Sequence, residues 1–254
     1  MSDEKWINLL LPRFRYGNIE PPAGGQVRRP GYQFYRLVPM DIMEIAVGLG
    51  IKDYTPEGVE EAIDNFWPRV SELVEQNVDW IVLGGAPVSS QLGRPRVLEL
   101  VQQVRQRHGL QLDTPMEAII AALKHLGINR VTVASRWADQ LNNALKTYLE
   151  SAGVEVLAIT SRGQWAGQAF TMSLEQGLQM ALDVGREAAR LAPDAGAILV
   201  PGGAAMSLHT IPALEEEFGK PVLTNLNSEV WNALIRPGVI EPIRGWGRLL
   251  AGER

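Results

Sequence analysis

The sequence has no cysteine among its 254 residues. That absence excludes disulfides, thiolate nucleophiles and thiol proton donors together. Histidine is scarce: His108, His125 and His209 are the only three, and no two have the spacing of a metal site. His108 and His125 each stand just before a glycine helix stop, where a cation suits the helix C-terminus. No apolar run approaches the roughly 20 residues of a membrane span. Basic residues are not in excess, since 24 Lys and Arg face 29 Asp and Glu for a net charge of −5, so no global field draws nucleic acid. Met1–Lys5 lacks the basic-then-apolar layout of a secretion signal, and a cytoplasmic setting is expected.

What is present is an alternation of short apolar runs with longer helical patterns, the pattern of a parallel α/β protein. Strands are expected at Ile7–Leu11, Trp80–Leu83, Arg130–Ala134, Glu155–Ile159, Ala197–Val200 and Pro221–Leu223. Helices are expected at Pro56–Gln76, Arg96–His108, Pro115–Leu126, Ala138–Ser151, Ser173–Leu191 and Ile211–Phe218. Thr55-Pro56 and Thr114-Pro115-Met116-Glu117 supply a capping hydroxyl followed by proline at the first helical position. Gly109, Gly127, Gly153 and Gly219 mark stops. The stretch Pro12–Pro39 reads as a long functional flap or a dimer-contact arm, its aromatic residues arguing against disorder.

One segment echoes another. Ile81-Val82-Leu83-Gly84-Gly85-Ala86-Pro87-Val88-Ser89 is similar to Ile198-Leu199-Val200-Pro201-Gly202-Gly203-Ala204-Ala205-Met206-Ser207. Two related half-molecules would explain the echo, as would coincidence between glycine-rich turns; the residues alone leave both open. A strand that ends in Gly-Gly and enters a helix exposes main-chain N–H groups suited to a carboxylate or phosphate. Neither copy has the GxGxxG or GxxxxGK[ST] spacing, so a nucleotide is not expected. No metal or organic cofactor is expected either; the expected partner is a small carboxylic acid, with a homo-oligomer possible.

Four further segments are specific in combination. Gly48-Leu49-Gly50 with Thr55-Pro56-Glu57-Gly58, the run Leu123–Val133, Pro201-Gly202-Gly203 through Ile211-Pro212 to Gly219-Lys220-Pro221-Val222, and Gly245-Trp246-Gly247-Arg248-Leu249 occur in order with compatible spacing. In these the chain resembles the aspartate/glutamate racemase superfamily, and within it the arylmalonate decarboxylase branch. The resemblance implies two Rossmann-like parallel-sheet halves related by a pseudo-twofold axis, with the active-site cleft between them. The expected halves are residues 1–114 with 225–254, including the N-terminal flap, and residues 115–224. It also implies carboxylates held by main-chain N–H groups, hydroxyls and a phenol, with a cysteine of one or both loops moving the proton. Here Gly85 stands at the first cysteine position, as in the decarboxylases, but Pro201 stands at the second. Ala86 and Pro87 replace the loop hydroxyls, and Trp137 replaces the phenol.

Other groups must therefore do the chemistry, if there is any. His209 and Glu229 are the candidate proton donors or bases. Gly84, Gly85, Gly202 and Gly203, with Ser89, Ser207, Asn225, Arg136, Trp137 and Arg13, are the candidate substrate-binding residues. Each also has an ordinary reading: helix capping for the serines, a first-turn carboxylate for Glu229, a solvated loop for Arg13. The leading expectation is a decarboxylase-type lyase on a small carboxylic acid. An isomerase or racemase and a non-catalytic carboxylate-binding protein are the alternatives.

Overall fold

The structure, a computed structural model, describes residues 7, 10–22 and 29–253. The described strands are β1 (Phe14–Pro22), β2 (Ile42–Ile51), β3 (Trp80–Leu83), β4 (Leu112–Asp113), β5 (Arg130–Val133), β6 (Glu155–Ile159), β7 (Ala197–Val200) and β8 (Val222–Thr224). They form two all-parallel four-stranded sheets, ordered β2-β1-β3-β4 and β6-β5-β7-β8. The second sheet thus repeats the first strand for strand. Helices cover them: α1 (Arg29–Phe34), α2 (Pro56–Ile63), α3 (Phe66–Glu75), α4 (Ala86–Leu92), α5 (Arg94–His108), α6 (Pro115–Leu126), α7 (Asp139–Ser151), α8 (Leu174–Leu191), α9 (Thr210–Phe218), α10 (Asn225–Val230) and α11 (Arg248–Ala251). No helix among the described residues is long and apolar enough to cross a membrane.

The repeat extends to the way the halves meet. α4, which follows the Gly84-Gly85 loop, packs on α7, which follows β5. In the mirror-image contact, the 3-10 turn Gly203–Ala205 after the second loop packs on α1, which follows β1. The helices that leave the fourth strands, α6 and α10, pack on each other. Both begin in the same way: Thr114 Oγ1 accepts from Glu117 N at 3.3 Å and Thr224 Oγ1 from Asn227 N at 3.2 Å, each satisfying a free first-turn N–H. One hydrophobic cluster runs through both halves, from Ile19 and Ile81 to Val133 and Leu199.

Three expectations are corrected. The first strand is not Ile7–Leu11: Ile7 and Leu10 are helical and exposed, while Asn8 and Leu9 lie outside the described residues. The strand is Phe14–Pro22, inside the segment read as a flap, and it pairs with both β2 and β3. Gly17 belongs there because a Cβ would stand 3.1 Å from the Trp80 carbonyl oxygen and 3.2 Å from Leu73 on α3. The helix expected over Pro56–Gln76 is broken at Asp64 and Asn65. Pro68 has no N–H for the Asp64 carbonyl, so an unbroken helix would lose that bond and crowd the ring.

The C-terminal tail is fastened by one carboxylate. Glu215 on α9 accepts from Val222 N at 3.0 Å and from Arg248 N at 3.0 Å, joining α9, β8 and α11. Gly247 permits this approach: its φ is +88°, and a Cβ would meet Ile211 and stand 2.8 Å from Glu215 Oε1. Gly247→Ala should therefore cost roughly 1–3 kcal/mol through strain and overpacking, read as a melting temperature several degrees lower. An unchanged melting temperature would contradict this account of the tail.

Candidate active site

The two Gly-Gly loops occupy equivalent places but have different neighbours. At the first, Gly84 N donates to Ile19 O at 2.9 Å. Gly85 has φ +91°, and a Cβ there would lie 2.6 Å from Pro21 Cγ at the end of β1. Any other residue would be strained and would displace Pro21. Ser89 is fully buried, and its hydroxyl donates to Gly85 O at 3.4 Å within its own helix. The first loop is thus occupied by the fold's own atoms.

The second loop faces side chains. Gly202 N donates to Asn225 Oδ1 at 3.4 Å, and the Gly203 carbonyl accepts from Gln33 Nε2 on α1 at 2.8 Å. A Cβ on Gly202 would stand 3.2 Å from Trp137 Cζ2 and 3.6 Å from Arg136 Nη2. The structure therefore brings Arg136, Trp137, Gly202, Gly203 and Asn225 together. Trp137 and Arg136 are 1% and 5% exposed. The loop carrying them is stitched down by Trp137 N to Ser135 Oγ at 3.0 Å and by Asn142 Nδ2 to Trp137 O at 3.0 Å. Burial pushes the Arg136 guanidinium down to about 10, which leaves it cationic at neutral pH.

α1 and the segment Trp165–Met172 close over this region. Buried Arg29 donates to Ala169 O at 2.9 Å and Met172 O at 2.6 Å. Trp165 Nε1 donates to Asp53 Oδ1 of the first half at 2.8 Å. None of these bridging contacts was visible as a sequence motif.

Under α10 lies a group of acids. Asn225 and Glu229 are four residues apart on that helix, so their side chains share a face with roughly 5–6 Å between Cβ atoms. Glu229 is 9% exposed and accepts no hydrogen bond from the described residues. Burial raises its carboxyl well above the ordinary range, and the charges of Asp113 and Glu44 raise it further. Asn18 Nδ2 donates to Glu44 Oε1 at 2.9 Å. Tyr16 adjoins these acids, its phenol raised well above the ordinary value by burial and then by Glu229, Asp113 and Glu44. Asp113 accepts from Thr114 N at 2.8 Å and from Asn232 Nδ2 at 2.7 Å; Asn232 sits on the π-helical turn Trp231–Ile235 that continues α10. Burial nevertheless pushes Asp113 up to about 6.

Three of the expected site residues make their contacts elsewhere in the fold. His209 Nδ1 lies 2.6 Å from Met206 O and Nε2 3.0 Å from Leu178 O. Each ring nitrogen thus faces a main-chain carbonyl, whichever of them carries the proton. Arg13 opens β1 at the far end of the sheet, bonded to Asp41 Oδ2 at 2.9 Å and Val239 O at 2.6 Å. Ile19, not Arg13, pairs with Leu83 beside the first loop, and six residues of strand separate the two by roughly 20 Å. Ser207 is buried in a 3-10 turn, where its carbonyl accepts from Thr210 Oγ1 at 2.6 Å.

Residues 16–250 match the family model described as arylmalonate decarboxylase. The chain belongs to the arylmalonate decarboxylase family. It is 29% identical over 234 residues to arylmalonate decarboxylase from Bordetella bronchiseptica, covering 92% of this chain and 95% of that one. It superimposes on unliganded arylmalonate decarboxylase with a TM-score of 0.80 at 28% identity, covering 94% of this chain and 99% of the other. Maleate isomerase from Pseudomonas putida S16 gives a TM-score of 0.80 at 18% identity over 94% of this chain and 98% of the other, a likeness of fold. Within the arylmalonate decarboxylase family this chain is a cysteine-free member.

The acid cluster has a measurable signature. Asp113 rises from its ordinary 3.8 to about 6 on folding, so the folded protein holds that proton where the unfolded chain has lost it. Its contribution to stability is intact below that interval and is lost as pH rises through it, on the order of 3 kcal/mol by pH 7. Asp113→Asn should therefore gain stability on the wild type between pH 4 and pH 7 in urea unfolding. Parallel stability curves would contradict the buried-acid assignment.

Proposed function

We propose that the protein is a cofactor-independent, decarboxylase-type lyase acting on a small carboxylic acid, working in the cytoplasm and without a thiol. One observation carries the reading: in a cysteine-free member of a decarboxylase family, a buried carboxyl group whose pKa burial raises well above the ordinary range stands one helical turn below the second Gly-Gly loop. Decarboxylation breaks the bond between the α-carbon and the departing carboxylate. The electron pair stays on the α-carbon, delocalised into the retained acyl group, and carbon dioxide leaves. The step needs donors at the oxygen that gains charge and then one proton at carbon. Glu229 supplies that proton in this reading and takes another from solvent. Arg136 and the main chain around Gly202 and Gly203 hold the retained carboxylate, while Trp137 walls the organic group.

The test is release of carbon dioxide from an arylmalonate by purified protein. Glu229→Gln should lower kcat about 100-fold or more with little change in KM, since it removes the acid but not the binding groups. Iodoacetamide should leave the rate unchanged, because the chain has no thiol to alkylate. Because Glu229 acts as the protonated form and burial raises its pKa, the wild-type rate should persist above the ordinary carboxylate range and fall as pH rises through the ionisation of that acid. Binding of acids with no release of carbon dioxide would leave a carboxylate-binding protein instead.

A further inference from the structure

Two guanidinium groups are buried between the halves, and the fold treats them differently. Arg29 spends Nη1 and Nη2 on the Ala169, Ala204 and Met172 carbonyls and leaves only its Nε without a partner. Arg136, 5% exposed, makes one long bond from Nη2 to Ala166 O at 3.4 Å, and its Nε and Nη1 have no partner. The neighbouring Trp137 Nε1 is likewise buried without an acceptor. No ion pair neutralises Arg136 among the described residues. Its surroundings come from three directions: Gly202 at the end of β7, Ala166 on the covering segment, and Tyr54 of the first half, whose phenol feels its charge. Tyr54 is no counter-ion, since burial pushes its phenol up to about 12. Burying a cation without an anion is expensive, and leaving its N–H groups bare adds to the cost.

The structure assigns the missing counter-ion to the ligand: we propose that the Arg136 guanidinium, with Trp137 Nε1, forms a carboxylate subsite beside Gly202. The free Nη1 and the loosely held Nη2 lie side by side at the end of the guanidinium and fit the two oxygens of a carboxylate, the adjacent indole N–H adds a third donor, and the indole face offers an apolar wall to the rest of the acid. This deepens the reading above and rests on it for the identity of the acid, while the subsite itself is testable without turnover.

Calorimetric titration with phenylacetate and with acetate, neither of which can lose carbon dioxide by this route, decides the matter. The wild type should bind phenylacetate, with its neutral amide at least about 30-fold weaker, because charge-assisted donors discriminate the anion. Arg136→Met should weaken phenylacetate about 100-fold, Arg136→Lys by less, and Trp137→Phe several-fold. In the absence of acid Arg136→Met should melt no lower than the wild type, since it removes an uncompensated buried charge, and phenylacetate should no longer raise its melting temperature. Wild type that binds neither acid, Arg136→Met that binds phenylacetate normally, a steep loss of stability in that variant without ligand, or inorganic phosphate binding as tightly as phenylacetate would each overturn the subsite. Wild type that releases no carbon dioxide from phenylmalonate yet binds phenylacetate through Arg136 would sink the lyase reading alone. Release of carbon dioxide with an unchanged KM in Arg136→Met would sink the subsite alone.

Discussion

Charge taken out of water where two half-molecules close on each other is the constraint from which the rest of this site follows. Among the described residues four acidic or basic side chains are buried there, and each is reconciled with burial in its own way. Arg29 gives its protons to main-chain carbonyls, which turns a charge into a bridge between the halves. Asp113 receives an N–H from the main chain and another from Asn232, which offset part of the rise in pKa that burial imposes. Glu229 has its pKa raised well above the ordinary range by burial and then by the neighbouring acids, which favours its neutral form. Arg136 keeps its charge with Nε and Nη1 open and a single long bond from Nη2, whereas Arg29 leaves only its Nε without a partner. The two buried arginines thus differ in how far the fold itself supplies acceptors.

The missing thiol belongs in the same picture. Pro201 stands where the family resemblance places a cysteine, and Gly85, at the other such position, is pressed against Pro21. Neither loop offers a titratable group. The buried charged groups near the second loop are instead Arg136 after β5, beside Gly202, and Glu229 on α10, one turn beyond Asn225. The scaffold is therefore retained while the groups that address a ligand are drawn from different segments.

Where local rules govern, the sequence was a good guide. β3 and β7 are apolar runs inside parallel sheets, and their bounds agree with the sequence reading to the residue, as do those of the edge strand β6; β5 ends one residue earlier than its apolar run and β8 lies one residue further on. α6 was legible from Thr114, Pro115 and Gly127, which set its ends. β1 was not legible, because its Tyr16 and Asn18 face the acids and interrupt the apolar pattern. β2 is an edge strand with a largely intermediate burial pattern, so it lacks both a continuous and an alternating signal. In the site, Arg136, Trp137 and Gly202 were legible because a resemblance marked their loops. Tyr54, Asp113, Glu44 and Arg29 were not, since each lies in a segment with no pattern of its own and gains its role only from the packing of distant elements. Arg13 failed for a related reason, because its place was judged from a strand that the chain does not form there.

The bridge made by α1 also has a consequence in time. Its bonds join residues 140 to 175 positions apart, from Arg29 to Ala169 and from Gln33 to Leu208. Contacts of that span must wait for the second sheet to exist, because the entropy of closing so long a loop is recovered only when its far end is already ordered. Each half can gather its own sheet first, but the roof over Gly203 belongs to the last stage of folding. A chain emerging from the ribosome would hold both buried arginines in water until its final third was made, and the cost of enclosing them would fall entirely on that closing step.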